Sequence, residues 1–207
     1  MAERENQKVR TRTAIIDACR ELTRTGAEVT MPRVAKQAMV SEATAYRYFP
    51  DLVTLLEEAL EGLWPPPEQA LAPVAHSVDP AERVAFACEY LLRGVHAYQG
   101  AVRAMIAHPI AAPAAARARP GIRFGLIDCA LAPFATPPGL KQDLTMVVSA
   151  EAFFTLTDLA GLTPDEAIAS ARRAAATITR AAFAAPPGHP ERPRLTTTAS
   201  PARPPAG

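Results

Sequence analysis

The chain has 207 residues, 49% of them hydrophobic, and a formal net charge of +1. That composition builds a core without covalent staples. It excludes a binder of nucleic acid by bulk charge, and no apolar run reaches the roughly 18 residues of a membrane span. The polar opening, residues 1–12, is not a secretory signal, and Cys19, Cys88 and Cys129 have neither metal-ligand nor disulfide-framework spacing. Their apolar neighbours point to core packing in a reducing cytoplasm. Charge is unevenly spread. Residues 1–50 carry nine Lys/Arg and six Asp/Glu, a net of +3, whereas residues 51–100 carry two and eight, a net of −6.

The spacing predicts helices throughout; Val and Ile recur at helical intervals and no hairpin dipeptide occurs. Residues 1–10 read as a polar, flexible arm. A first helix is expected from a Thr11 cap to Gly26, with Ile15, Ala18, Cys19 and Leu22 inward. A second starts at Thr30, with Val29 and Val34 placed for a hydrophobic staple, and ends near Ala38. After a tight turn at Met39–Ser41, a third runs from Glu42 to Phe49 and is broken by Pro50. Asp51 caps a fourth, carrying Leu55, Leu56, Ala59 and Leu63.

Pro65, Pro66 and Pro67 cannot continue a helix, so a domain boundary is expected at residue 64. The next strong start is Asp79-Pro80-Ala81-Glu82, with a capping Asp, proline at the first position and glutamate at the third. A long helix should follow to Gln99, ended by Gly100, and then a short one to His108. Residues 109–120 should be irregular, and residues 122–134 helical. One helix is expected over 140–160, ended by Gly161. A last one is expected from the capping box Thr163-Pro164-Asp165-Glu166 to Ala185. Seven prolines in residues 186–207 read as a disordered tail.

Two short helices joined by a tight turn and preceded by a longer one make a helix-turn-helix unit. Val34, Ala35, Ala38, Val40, Ala45 and Phe49 lock it together. Its other face offers Ser41, Glu42, Ala43, Thr44, Tyr46, Arg47 and Tyr48: hydroxyls, a guanidinium and two aromatics, suited to phosphates and base edges.

Over residues 11–63 the sequence resembles the N-terminal domain of the TetR family. The matching pieces are Ile15-Ile16-Asp17-Ala18, Thr30 with Val34-Ala35, Ala38 with Val40-Ser41, and above all Thr44-Ala45-Tyr46-Arg47-Tyr48-Phe49-Pro50. The resemblance implies that Thr30, Arg33, Ser41, Glu42, Ala43, Thr44, Tyr46, Arg47 and Tyr48 lie at DNA. Tyr46 and Tyr48 would meet phosphates or thymine methyls, and Thr44 a phosphate. Three positions depart from the family. Met39 stands where glycine is usual, so a slightly rearranged turn is expected. Leu52 stands where a phosphate-touching lysine is usual. Glu42 stands where a base-reading side chain often lies, and could accept from a cytosine amino group.

The fold class is thus all-α: an N-terminal three-helix helix-turn-helix domain (11–63) and a C-terminal helical ligand-binding and dimerisation domain (64–185). The helix over 140–160 is apolar nearly all round, through residues such as Leu144, Val147, Leu156 and Leu159, and should be buried on several sides. The next carries Ala167, Ile168, Ala171, Ala174, Ala175, Ile178 and Ala182 on one stripe. Two such helices can pair with their copies as a four-helix bundle, where the resemblance also puts a homodimer interface. Phe86, Tyr90, Met105, His108, Phe124, Met146, Phe153 and Phe154 are candidates to line a pocket for a hydrophobic small-molecule effector. No cofactor or metal is expected.

The expected function is a cytoplasmic transcriptional repressor, released from palindromic operator DNA by that effector. A helix-turn-helix protein with a protein partner is an alternative. An all-helical enzyme is a weaker one, because neither Glu-x-x-His nor a phosphate loop occurs.

Overall fold

A computed structural model describes the backbone of residues 2–62, 64–111 and 122–185, and their side chains except those of 2–4 and 107–111. The elements are α1 (Ala2–Arg24), α2 (Met31–Gln37), α3 (Glu42–Tyr48), α4 (Leu52–Ala59), α5 (Pro67–Ala70), α6 (Pro80–Ala97), α7 (Gln99–Ala111), α8 (Ile122–Leu131), α9 (Leu140–Val147), α10 (Ala150–Phe154) and α11 (Pro164–Ala184), with one 3₁₀ turn at Ala72–Val74 and one π turn at Thr155–Leu159. Among the described residues there is no strand, and no helix is long and apolar enough to cross a membrane. Of the stretch expected to be irregular, 109–120, residues 109–111 instead continue α7 past the expected end at His108; the rest of it, the tail from 186 and Leu63 lie outside the described residues.

The flexible arm is a correction. Residues 2–10 are the first turns of α1, and Thr11, the expected cap, instead donates its hydroxyl to the Gln7 carbonyl at 3.0 Å. The segment Ala-Glu-Arg-Glu-Asn-Gln-Lys is made almost wholly of helix formers. Its Glu5 and Lys8 stand one turn apart at 3.7 Å. It has no apolar stripe, which is why periodicity did not reveal it.

Two apolar clusters form. The head cluster joins α1 through α4 around Ile15, Cys19, Val34, Phe49, Leu55 and Leu56. Arg12 pairs with Glu58, and the Arg20 Nε donates to the Ala59 carbonyl at 2.9 Å, so α1 grips the C-terminal end of α4 from two points. The body cluster joins α5, α6, α8, α9, α10 and α11 around residues such as Leu92, Leu126, Leu144, Phe153 and Ala171. Arg172 bonds Glu89, and Arg93 reaches both Glu89 and Asp165. Those pairings run in opposite directions along α6 and α11, so the two helices are antiparallel. Burial pushes the Cys19 thiol up to about 11 and the Cys88 thiol up to about 12, as inert core thiols behave. Cys129 is only half-buried.

Arg83 is 4% exposed. Its guanidinium donates to the carbonyls of Val74, Ala75, Ala130 and Cys129 at 2.8–3.0 Å. It thereby ties the 3₁₀ turn and the C-terminal end of α8 to α6, and its charge lies among peptide carbonyls.

Gly100 does not end the long helix. That helix stops at Ala97, and Gly100 lies in the first turn of α7. A Cβ there would stand 2.1 Å from the Ala27 carbonyl oxygen of the head, so this glycine serves a close backbone approach, not a helix end. Ala101 is buried in the head cluster, and Ala104 and Met105 pack against it. Helix α7 is therefore the element shared by head and body. The linker is fixed separately. Trp64 packs edge-on against Tyr90 and Tyr98, with ring centroids 6.2 and 6.1 Å away. It occupies the space a side chain at Gly94 would need, 1.8 Å from the ideal Cβ.

The single helix expected over 140–160 is broken. Val148 leaves the helical region, and Ser149 is extended; its Oγ accepts from the Ala152 amide at 3.0 Å and donates to the Met146 carbonyl at 3.2 Å. One serine thus closes α9 and caps α10, a role that competes with its place inside a helix. The following turn is widened to π geometry, with the Ala160 amide bonded to the Thr155 carbonyl at 3.1 Å. Burial all round is also corrected: Met146 is 76% and Leu159 83% exposed. In α11 the predicted capping box is present, and Ala167, Ile168, Ala171 and Ala175 are buried, but Ala174 faces outward.

Candidate nucleic-acid interface

The turn between α2 and α3 sets the angle of the recognition helix. The Val40 amide bonds the Ala35 carbonyl and the Met39 amide the Lys36 carbonyl, at 3.0 and 3.2 Å. That double closure is a Schellman motif, which requires a left-handed residue at the position of Met39. Met39 has φ +55°, unlike any other non-glycine among the described residues, and is 92% exposed. The expected rearrangement of the turn is thus corrected: the backbone keeps the geometry suited to glycine, and methionine bears the strain.

Helix α3 is entered through Ser41, whose Oγ accepts from the Thr44 amide at 3.1 Å and shares a 2.8 Å hydrogen bond with the Thr44 hydroxyl. Ala45 and Phe49 are buried in the head cluster and anchor the helix. Ser41, Glu42, Ala43, Tyr46 and Arg47 are exposed, while Thr44 and Tyr48 are half-buried. The Arg47 guanidinium lies 5.6 Å from the centre of the Tyr48 ring, which holds the charge along the helix. The outer face therefore presents hydroxyls, a guanidinium and a free phenol, with Tyr46 48% exposed. These are donors for phosphates and base edges on a helix narrow enough for a major groove.

The other sequence-predicted DNA residues, Thr30 and Arg33, lie outside α3, at the start of α2. Thr30 takes the extended backbone of an N-cap, but its side chain makes no cap bond. It is half-buried and lines a cleft of about 590 Å³ between the head and α7, with Val29, Leu52, Gln99, Gly100 and Arg103. Arg33 is exposed and stands 3.8 Å from Glu28. Leu52, at the start of α4, packs partly buried against the head cluster.

Residues 15–59, spanning this unit, match the family model for bacterial regulatory proteins of the tetR family. The head is a TetR-family domain. Residues 15–59 thus carry the DNA-binding domain of TetR-type transcriptional regulators. No curated protein matches the chain.

Behind this TetR-type head the effector candidates do not form one group. Phe153 and Phe154 are buried with ring centroids 5.5 Å apart, and Phe86 and Tyr90 pack partly buried on the same body cluster. Met105 packs against the head cluster instead. Phe124 is 39% exposed and Met146 points outward. The side chain of His108 lies outside the described residues. Neither the head–α7 cleft nor a second cleft beside α3 is lined by any of the eight. Among the described residues no group of three His, Cys, Asp or Glu could hold a metal ion.

Two features escaped sequence reasoning. Gln7, Lys8 and Thr11 of α1 flank the recognition helix; the helix-forming composition of the first ten residues was the signal. The second is a lock between α7 and the π turn. Arg103 bonds both oxygens of Asp158 at 2.6 and 2.9 Å and lies 3.9 Å above the Phe154 ring. Its partners are 55 residues apart in sequence, and nothing local announces such a pair.

Proposed function

We propose that the chain is a repressor that binds palindromic operator DNA as a homodimer and is released by a small hydrophobic effector. The observation that carries the DNA reading is the outer face of α3, anchored by Ala45 and Phe49 and presenting Ser41, Thr44, Tyr46 and Arg47. Thr30, Arg33, Glu42, Ala43 and Tyr48 complete the proposed contact set. A dimer reads successive major grooves when its two heads stand about 34–36 Å apart, or somewhat more.

The proposed dimer surface is formed by α9 to the π turn together with α11. On α11 the exposed residues Ala174, Thr177 and Ala181 recur at helical spacing, and small side chains let two helices approach closely. Met146 and Leu159 supply exposed apolar surface on the preceding helices. The proposed effector site is the aromatic part of the body core, around Phe86, Tyr90, Phe153 and Phe154.

A path for release follows. Phe154 touches Arg103, Arg103 holds Asp158, and α7 carries Gly100 against the head at Ala27. A ligand that repacks the core at Phe154 acts on α7 and so on the spacing of the heads. It lowers DNA affinity only by its differential affinity for the two arrangements.

The test is a gel shift with the intergenic DNA upstream of the protein's own gene. Salt-sensitive retardation of a dimer is expected. No retardation at low salt, with either the wild type or Leu52→Lys, sinks the repressor reading.

A further inference from the structure

Helix α1 begins at Ala2, roughly three and a half turns before the head cluster starts at Ile15, and those turns are not idle surface. A cleft of about 450 Å³ lies between them and the recognition helix, lined on one side by Gln7, Lys8 and Thr11 and on the other by Ser41, Thr44 and Arg47, with Val40 and Tyr48 completing it. Both charged groups in that lining, Lys8 and Arg47, are cationic, and no carboxylate lines the cleft. Lys8 is held loosely: among the described residues its carboxylate partner is Glu5, 3.7 Å away and beyond hydrogen-bond distance, and both side chains are largely exposed.

The hydroxyl inventory points the same way. The Thr11 hydroxyl proton is spent on the Gln7 carbonyl. Ser41 and Thr44 share one hydrogen bond, so of their two hydroxyl protons one remains to donate outward, whichever oxygen is the donor. The cleft therefore offers an ammonium, a guanidinium and one free hydroxyl proton converging on a concave site. That set matches a tetrahedral monoanion with several acceptor oxygens.

We infer that Lys8, carried on the helical extension of α1, binds a DNA backbone phosphodiester in the cleft beside α3 and positions the recognition helix in its groove. The inference rests on the DNA-binding reading above. A phosphate contact fixes register and carries no base information, so Lys8 is a positioning residue.

The test measures binding of the full-length protein to fluorescein-labelled duplexes by anisotropy, over a potassium chloride series. One duplex carries the upstream intergenic sequence; the others are unrelated sequences of equal length. Lys8→Gln is compared with Lys8→Arg and with Lys141→Gln, a body substitution away from the cleft. The expected result is a loss of affinity for Lys8→Gln that is alike on every duplex. Its plot of log affinity against log salt should be shallower by about 0.9 per contact removed. Lys8→Arg should retain most of the affinity, and Lys141→Gln all of it. Wild-type binding with an unchanged affinity and slope in Lys8→Gln overturns the inference while leaving the DNA reading intact. Absence of wild-type binding on all duplexes overturns the DNA reading itself. Inorganic phosphate is added at matched ionic strength in a final arm. Weaker competition against Lys8→Gln than against the wild type is expected, because the ion and the DNA phosphodiester share the cleft; phosphate that binds the wild type in the absence of DNA yet leaves its DNA affinity unchanged shows a free-anion site, and the assignment to DNA falls.

Discussion

Gly100 of α7 and Ala27 of the head meet backbone to backbone: a Cβ on Gly100 would stand 2.1 Å from the Ala27 carbonyl oxygen. Ordinary carbon–oxygen contacts lie near 3.3–3.6 Å, so any side chain at 100 forces head and body apart by about an ångström. In an exposed helix, glycine to alanine gains up to about 1 kcal/mol. Here the overpacking cost of about 1–3 kcal/mol acts on backbone that cannot swing away. Gly100→Ala is expected to lower the urea midpoint and weaken DNA binding together. A variant with unchanged DNA affinity would show that this contact does not set the position of the head.

Met39 holds a left-handed backbone that costs an L-residue about 1–2 kcal/mol, and its side chain, 92% exposed, contributes no burial in return. Met39→Gly removes the strain but adds chain entropy to the unfolded state, at about 0.4–1 kcal/mol. A net gain of about 0.5–1 kcal/mol is expected in urea denaturation. Met39→Ala, which keeps a Cβ, should give no comparable gain.

Arg83 satisfies four carbonyls in the body with one buried guanidinium. Arg83→Met keeps much of the volume and leaves those oxygens without their donors. A loss of about 3–5 kcal/mol in equilibrium unfolding is expected, as when one partner of a buried charged set is removed. Arg83→Lys, with an ammonium in place of the planar fork, should recover only part of it.

The Arg103 hydrogen bonds hold the Asp158 carboxyl below the usual carboxylate range. A depressed value in the folded state means that the link stabilises above the unfolded pKa, near 3.9, and is lost as the pH falls through the folded value. Asp158→Asn should therefore lower the melting temperature slightly at pH 7, and the difference from wild type should close toward acid. Hydrogen exchange of α7 amides should quicken in the variant at pH 7. Unaltered exchange there would separate the lock from the mobility of α7.

The helix-turn-helix was legible because its signals are local. Ser41 and Asp51 act as caps, and Val34, Ala45 and Phe49 fall at core spacing and are buried. The capping box at Thr163 and the start at Asp79 were legible for the same reason. What was not legible depends on partners distant in sequence or on signals with two meanings. Gly100 carries the chemistry of a helix end but answers to Ala27. Ser149 looks like a tolerated helix residue, yet it caps a new start. Met105 belongs to an apolar stripe whose partner turned out to be the head, and Phe124 and Met146 emerged at the surface. Periodicity says that a face is apolar, not what covers it.

Trp64 and Gly94 have a mechanical consequence. The indole is seated on α6 by a notch that only a residue without a side chain leaves open, so the chain is clipped to the body within five residues of the end of α4 at Ala59. The lever between the two halves is therefore short, and its fulcrum lies between Ala59 and Trp64. In the proposed release, a small tilt of α7 would turn the head about this joint, with little slack to absorb it. The chain's single tryptophan stands at that fulcrum, beside Tyr90 and Tyr98, where its emission registers any movement of the joint.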